Sequence, residues 1–550
     1  MGTVTTESLA AMLALIGAVI AVSALLSGFV ERSNFPQVAV FLLLGAVLGP
    51  TGVNVLNVGL DSPVLRVVAT LSLALVLFTD ALSLNLPQVR KNAKLAGVIL
   101  GPGTILAVGA IGIGAHWILG LPATHAAILA AALASTDPVL LRGLLRRPDL
   151  PGRARLSLQL ESGLNDVVLL PIVLVAMALA APGEGSPNIA RLLLQMLVLG
   201  PGAGALVAAV GVGALELVRR RAAPRRDYES IFSLGICFAA FAAAESLHGS
   251  GYLAAFAAGL TISALDVELC DCFTEYGETT AEMLLMFTFV LMGGSLIWSG
   301  LGLLDVALGG FIALALAARP LSLLATLRPL GLDRESRRII AWFGPRGLST
   351  LLLVLVPVFA KVPGTERLFA IASVVVLFSV AIHGLSIMAF GRKRDTAASE
   401  EAASDAAISE KTAVVSLPAS PPPSESMTSD PVIALEPFGA ETIDASAVRA
   451  LDPVRLADVR SERAFLNSEE MLAGSVRLDL DRPVRDAERK ELPKGAWIAL
   501  YCTCPSEQTS LRVAKELRAA GWSRAVAVVG GWDAMLAAGF APEPKRAARK

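Results

Sequence analysis

From Leu9 to Phe390 the chain repeats one pattern, an apolar run of about 18–25 residues followed by a short break of charged residues, Gly or Pro. Each run is long enough to cross a hydrocarbon core as a helix, which takes about 20 residues. About thirteen such runs are present, at Leu9–Val30, Gln37–Val58, Leu65–Leu86, Ala96–Trp117, Thr124–Leu145, Leu156–Ala180, Ile189–Val218, Ile231–Leu247, Gly251–Ala264, Met283–Trp298, Leu303–Leu327, Ile339–Phe359 and Leu368–Phe390. The first lacks a basic leader and is longer than a signal peptide's apolar core, so it reads as a retained span. After residue 394 the pattern stops. Residues 395–431 are rich in Ala, Ser, Pro and acid, with no apolar period, and read as a flexible, disordered linker. In residues 432–544, strand-like runs at Val454–Val459, Trp497–Tyr501 and Ala525–Val529 alternate with helical patterns such as Ser510–Ala520, which predicts a small α/β domain with a parallel sheet. Residues 545–550 form a basic tail.

Basic residues gather after the odd-numbered runs: Arg90, Lys91 and Lys94; Arg146, Arg147, Arg153 and Arg155; Arg219, Arg220, Arg221, Arg225 and Arg226; Arg328, Arg334, Arg337 and Arg338; Arg392, Lys393 and Arg394. Even-numbered breaks hold little beyond Arg66, Arg191, Lys361 and Arg367. Basic loops stay in the cytoplasm, so the amino terminus is expected outside and everything after Arg394 inside. One odd break, Asp266–Glu282, is acidic instead, which that rule tolerates.

Composition agrees with the pattern. The chain is 54% apolar and 17% charged, which excludes a single soluble globule. A net charge of −1 leaves no basic field to hold nucleic acid. Five scattered cysteines do not make the disulfide framework of a small secreted protein, and His116, His125, His248 and His383 lack metal-ligand spacing.

The chemistry lies in charges that should not be in a membrane. Asp80, Asp137, Glu161, Asp166, Glu245, Arg319 and Arg346 all fall inside apolar runs, where each costs about 2.5–3.5 kcal/mol unless it pairs, binds an ion or meets water. In the sixth run Ser162, Asn165 and Asp166 share one helix face. A hydroxyl, an amide oxygen and a carboxylate suit a hard monovalent cation, and the carboxylate can carry a proton instead. The fifth run contains Ser135-Thr136-Asp137-Pro138 and the twelfth Gly344-Pro345-Arg346-Gly347, both helix breakers. They occupy matching positions in two six-run halves joined by the seventh run, which inverts one half relative to the other. Broken helices so placed mark the binding site of a secondary transporter.

These segments resemble the cation/proton antiporters, in the sodium/proton exchanger branch that includes bacterial NhaP-type proteins. The resemblance rests on Arg32-Ser-Asn-Phe-Pro36, Leu44-Gly45 with Gly49-Pro50, Leu77-Phe-Thr-Asp-Ala81, Ala134-Ser-Thr-Asp-Pro138, Glu161-Ser-Gly-Leu-Asn-Asp166, Gly251-Tyr-Leu-Ala-Ala255 with Gly259, Arg319-Pro320 and Gly344-Pro-Arg-Gly347. It implies an all-α polytopic membrane protein of inverted six-helix repeats with crossed broken helices, homodimeric in the bilayer of a bacterial inner membrane. It implies exchange of Na⁺ or K⁺ for H⁺ without a cofactor. Asp166 matches the main cation and proton carrier, Thr136, Asp137 and Ser162 neighbouring site residues, and Asn165 the mark of an electroneutral branch. Glu161 matches a glutamate that pairs with an arginine of the eleventh span, here Arg319 with Arg346 as a rival, and Asp80 an acid lining the cavity.

The last domain resembles the rhodanese-like fold through Asp458-Val-Arg460, Gly474-Ser-Val476, Tyr501-Cys-Thr-Cys-Pro-Ser-Glu-Gln-Thr-Ser510 and Gly530-Gly-Trp532. Cys502 matches the persulfide-carrying cysteine, but the loop after it is long, carries Glu507 and lacks an arginine. A binding or regulatory domain is expected ahead of sulfur transfer; Cys502 with Cys504 as a redox pair or metal site is the remaining option. Two other functions stay open, a membrane-anchored sulfurtransferase and a cation channel on the same scaffold.

Overall fold

The computed structural model describes residues 37–50, 52–54, 56–84, 86–145, 147, 150–180, 189–222, 226–265, 271–413, 442–460, 464–465, 468, 470–480, 482–503 and 508–545, with positions 17, 21 and 25. These residues fall into two compact units divided near residue 414.

The first unit is helical. Its main helices are α1 (Gln37–Leu48), α2 (Pro63–Leu82), α3 (Ala93–Leu119), α4 (Ala123–Ala134), α5 (Pro138–Leu145), α6 (Gly152–Ala180), α7 (Gly200–Ala222), α8 (Arg226–Ser246), α9 (Gly251–Ala264), α10 (Asp271–Gly294), α11 (Val306–Thr326), α12 (Arg334–Trp342), α13 (Leu348–Phe359) and α14 (Thr365–Ala413). Among the described residues, seven helices are long and apolar enough to cross a membrane, or eight if the bent pair Thr279–Gly294 and Leu296–Leu303 is one span. The chain is thus a multi-pass membrane protein. Fewer helices pass that length test than the thirteen apolar runs predict, and breakers are the reason. The second run stops at Leu48, before Gly49-Pro50, and the twelfth splits around Pro345. The eighth, ninth and twelfth runs supply shorter apolar helices, and the first run lies outside the described residues apart from positions 17, 21 and 25.

Two further expectations are corrected. The expected linker is helical as far as Ala413, because its first part is rich in Ala and Glu, strong helix formers; its remainder lies outside the described residues. Likewise, from Asp271 onward the acidic break belongs to helix α10.

The helices pack in two groups. In one, α4 lies between α3 and α6, α11 lies on α3, and α13 lies on α14. In the other, α9 touches α2, α7 and α8. Helix α2 meets α6 and α13, which joins the groups. Inside α3, Pro102 has no N–H to donate, and Ile99–Gly103 widens into a π turn that delivers Thr104 toward α6.

The second unit holds a five-stranded parallel sheet in the order β1 (Thr442–Asp444), β6 (Ala525–Val529), β5 (Trp497–Tyr501), β2 (Val454–Asp458), β4 (Val476–Arg477), and a separate antiparallel pair of β3 (Glu470–Leu472) with β7 (Pro542–Pro544). Along β5, Ile498 and Leu500 enter a core with Val513, Leu517 and Trp522, while Ala499 and Tyr501 enter a second core with Leu456, Val528 and Met535. A central parallel strand buries both faces, which is why it is apolar throughout.

Candidate functional site

The α4/α5 and α12/α13 breaks meet. Asp137 donates its backbone N–H to the Pro345 carbonyl at 3.0 Å. Each break leaves helix ends with unpaired amides and carbonyls, which lipid cannot satisfy. Charged side chains satisfy them instead. Asp137 Oδ1 accepts from Val139 N at 2.8 Å, and its Oδ2 accepts from Leu348 N at 2.6 Å, so one carboxylate caps the N-termini of both α5 and α13. Arg346 Nη1 donates to the carbonyls of Ala134 and Ser135 at 3.3 and 3.2 Å, closing the C-terminus of α4. Asn165 Nδ2 donates to the same Ala134 carbonyl at 2.9 Å, and Asn165 Oδ1 accepts from Thr104 at 3.5 Å.

Arg319 closes the C-terminus of α12. Its Nη1 donates to the Ala341 carbonyl at 2.8 Å, while Nε and Nη2 make a two-pronged pair with Glu161, both bonds 2.6 Å. That pair is 5% exposed on each side, so removal of one partner would strand a buried charge. The breaker glycines have a steric reason. A Cβ on Gly347 would collide with Asp137 Oδ2, and one on Gly344 with Arg319 Cζ.

Asp166 lies on α6 one turn beyond Glu161, 3% exposed. Its Oδ1 accepts from Ser135 Oγ at 2.5 Å, and Ser349, at the start of α13, lies near it. The adjacent Thr136 hydroxyl is buried with no hydrogen-bond partner among the described residues. Ser162 donates its hydroxyl back to its own helix, at Gln159 O. The structure thus gathers Asp166, Asn165, Thr136, Asp137 and the Glu161–Arg319 pair around one crossing. Asp80 sits half-buried in the last turn of α2. Glu245 is elsewhere, accepting from Gly251 N at 3.0 Å beside a cavity of about 340 Å³ also lined by Arg66 and Tyr252.

The sequence marked Arg346 as a charge inside an apolar run and as a rival to Arg319, not as a helix cap, and did not single out Ser135, Ser349 or Thr104. The signal for Ser135 was its place beside Thr136 in an unwound segment. Nothing in the local sequence of Ser349 or Thr104 points to Asp166 or Asn165.

In the second unit Cys502 follows β5 and is fully buried, its Sγ 3.6 Å from Ser510 Oγ and its carbonyl accepting from Trp532 N at 2.8 Å. Cys504 and Glu507 lie outside the described residues. Beside it, Arg460 pairs with Asp458 at 2.6 Å and lies over the Trp532 ring at 4.2 Å. Burial, and then the Asp458 charge, push the Tyr501 hydroxyl above its ordinary range, which keeps its proton available to Ser475 at 2.8 Å.

A family profile described as sodium/hydrogen exchanger, transmembrane, matches residues 18–393. The chain belongs to that family. Exchanger relatives include a K⁺/H⁺ antiporter NhaP of Alkalimonas amylolytica, 25% identical over 397 residues, covering 70% of this chain and 67% of the relative. A K⁺/H⁺ antiporter NhaP2 of Shewanella sp. strain ANA-3 is 28% identical, covering 69% and 66%. A Na⁺/H⁺ antiporter NhaP of Pseudomonas aeruginosa is 25% identical, covering 63% and 87%. The match thus spans about two thirds of the length of the K⁺/H⁺ relatives. The exchanger fold is shared with the sodium proton antiporter MjNhaP1 of Methanocaldococcus jannaschii, at a TM-score of 0.58 and 18% identity over 69% of this chain and all of that one. The family profile ends at residue 393, before the second unit begins.

Two outcomes follow from the geometry. Arg319→Ala destabilises the folded protein by about 3–5 kcal/mol, and Glu161→Leu combined with Arg319→Met recovers most of that, as read by thermal unfolding in detergent. Gly347→Ala, whose Cβ strikes the Asp137 carboxylate, lowers the unfolding temperature, whereas Gly143→Ala, with nothing within 4 Å of its Cβ, leaves it unchanged.

Proposed function

We propose that the chain exchanges Na⁺ or K⁺ for H⁺ across a bacterial inner membrane, one for one, by competition of cation and proton for Asp166 with access alternating between the two sides. The observation that carries this reading is a charge count. Among the described residues, the buried acids of the helical unit are Asp137, Glu161 and Asp166, and its buried arginines are Arg319 and Arg346. Glu161 is paired, Asp137 is held by helix ends and Arg346 faces carbonyls. Asp166 is answered by neither an arginine nor a helix end among the described residues, but by the Ser135 hydroxyl, and a charge so poorly compensated at that depth costs several kcal/mol. One proton or one monovalent cation neutralises it, and both together leave an excess positive charge. Competition and unit stoichiometry are consequences of the same count.

Thr136, with its unpartnered buried hydroxyl, is the first candidate to share the cation with Asp166, and Ser162 lies one turn away on the same helix. Asp137 and Asn165 serve this site by holding the helix ends, and Asp80 lines the approach. The names of the relatives support both K⁺ and Na⁺ as cargo. The reading extends to thirteen spans in inverted halves, an outer amino terminus, a homodimer, and a cytoplasmic rhodanese-like domain that regulates transport. Full burial of Cys502 favours that role over sulfur transfer.

Purified protein in sealed vesicles tests it. An imposed pH gradient drives Na⁺ or K⁺ against its own gradient; Asp166→Asn abolishes this flux and Cys502→Ala retains it. Coupled flux that survives Asp166→Asn, or cation flow that a pH gradient cannot drive uphill, overturns the reading.

A further inference from the structure

Arg346 can close the end of α4 only if its own main chain is fixed, and it lies in the segment Phe343–Gly347 between two helices. The fixing comes from α14. Arg346 donates its backbone N–H to Ser379 Oγ at 2.7 Å. Ser379 Oγ lies 3.2 Å from Nδ1 of His383, one turn further on. The His383 ring lies 5.8 Å from that of Trp342, the last residue of α12. His383 Nδ1 also lies 3.0 Å from the Ser379 carbonyl, so with its proton on Nδ1 the ring donates to the carbonyl and hydroxyl oxygens of Ser379 and holds that side chain where it accepts from Arg346 N. Both side chains are buried, Ser379 completely.

A serine that merely packs in a helix returns its proton to its own backbone, as Ser322 does to Ala318 O and Ser386 to Ile382 O. Ser379 instead binds the backbone of the opposing break. We propose that Ser379 and His383 are positioning residues for cation binding. They lock the Phe343–Gly347 segment so that the Arg346 guanidinium caps Ala134 and Ser135, and this holds the Ser135 hydroxyl on Asp166. The inference rests on Asp166 being the carrier.

The test is exchange in vesicles as a function of cation concentration. Ser379→Ala raises the half-saturating cation concentration about five- to tenfold, the effect of one lost neutral hydrogen bond, with the maximal rate little changed. Ser379→Thr, which keeps the hydroxyl, restores it. His383→Leu reproduces the Ser379→Ala defect and His383→Gln, which can still donate and accept, does not; this pair carries the comparison if Ser379→Ala fails to assemble. An unchanged half-saturating concentration in Ser379→Ala overturns the proposal. So does a loss of rate and folded protein together that Ser379→Thr does not reverse. Asp166→Asn in the same vesicles reports separately on the carrier, since persistent exchange there condemns the parent reading and not the latch.

Discussion

A helix end cannot be left open in a medium without water. Two spans of this protein are interrupted, and the four helix ends so created meet where lipid offers no hydrogen-bond partner. The solution is to place a full charge against each partial one: the Asp137 carboxylate at the positive ends of α5 and α13, Arg346 at the negative end of α4, Arg319 at that of α12. Everything else near the crossing answers to this. Glycine flanks Arg346 because side chains there would displace the capping groups, and Glu161 balances Arg319, the one arginine that also needs a carboxylate.

Such an arrangement is rigid in its parts and yet joined to the rest by few bonds. Beyond Asp137 and Arg346 in the breaks themselves, the polar atoms that hold the breaks come from α6, α11 and α14, with Thr104 of α3 bonded to Asn165 of α6. In the proposed exchange cycle, a site built inside one packed group, with the second group touching it through α2, would expose Asp166 on alternate sides without dismantling the caps.

Much of this was legible in the sequence. Apolar length gave membrane-crossing helices, seven or eight of which pass the length test against thirteen expected runs, and Pro and Gly gave the breaks, because each depends on a property of neighbouring residues. Of Ser162, Asn165 and Asp166, expected to converge, Asn165 and Asp166 reach the end of α4 while Ser162 bonds its own helix. Division of labour among the charges was not legible. Whether Asp137 binds a cation or caps helices depends on where Leu348 lies, 211 residues away. The same holds for Ser379, whose significance comes from a backbone N–H 33 residues earlier across the fold. In the C-terminal unit the strands Trp497–Tyr501 and Ala525–Val529 stand where their β-branched and aromatic runs predict, while Cys502 is covered by Gly531 and Trp532 from the helix Gly531–Ala537 that follows β6, which meet its backbone. The helical continuation to Ala413 was missed because an Ala- and Glu-rich stretch without apolar period satisfies helix propensity and disorder composition equally.

The central claim is that one buried carboxylate is shared in turn by a proton and a cation. Proton release on cation binding measures this most directly: weakly buffered, purified protein is titrated with Na⁺ or K⁺ while the pH change and the bound cation are recorded together. The account predicts one proton released per cation bound, saturating together, and neither in Asp166→Asn. Cation binding without proton release, or release that persists when Asp166 is replaced, contradicts it.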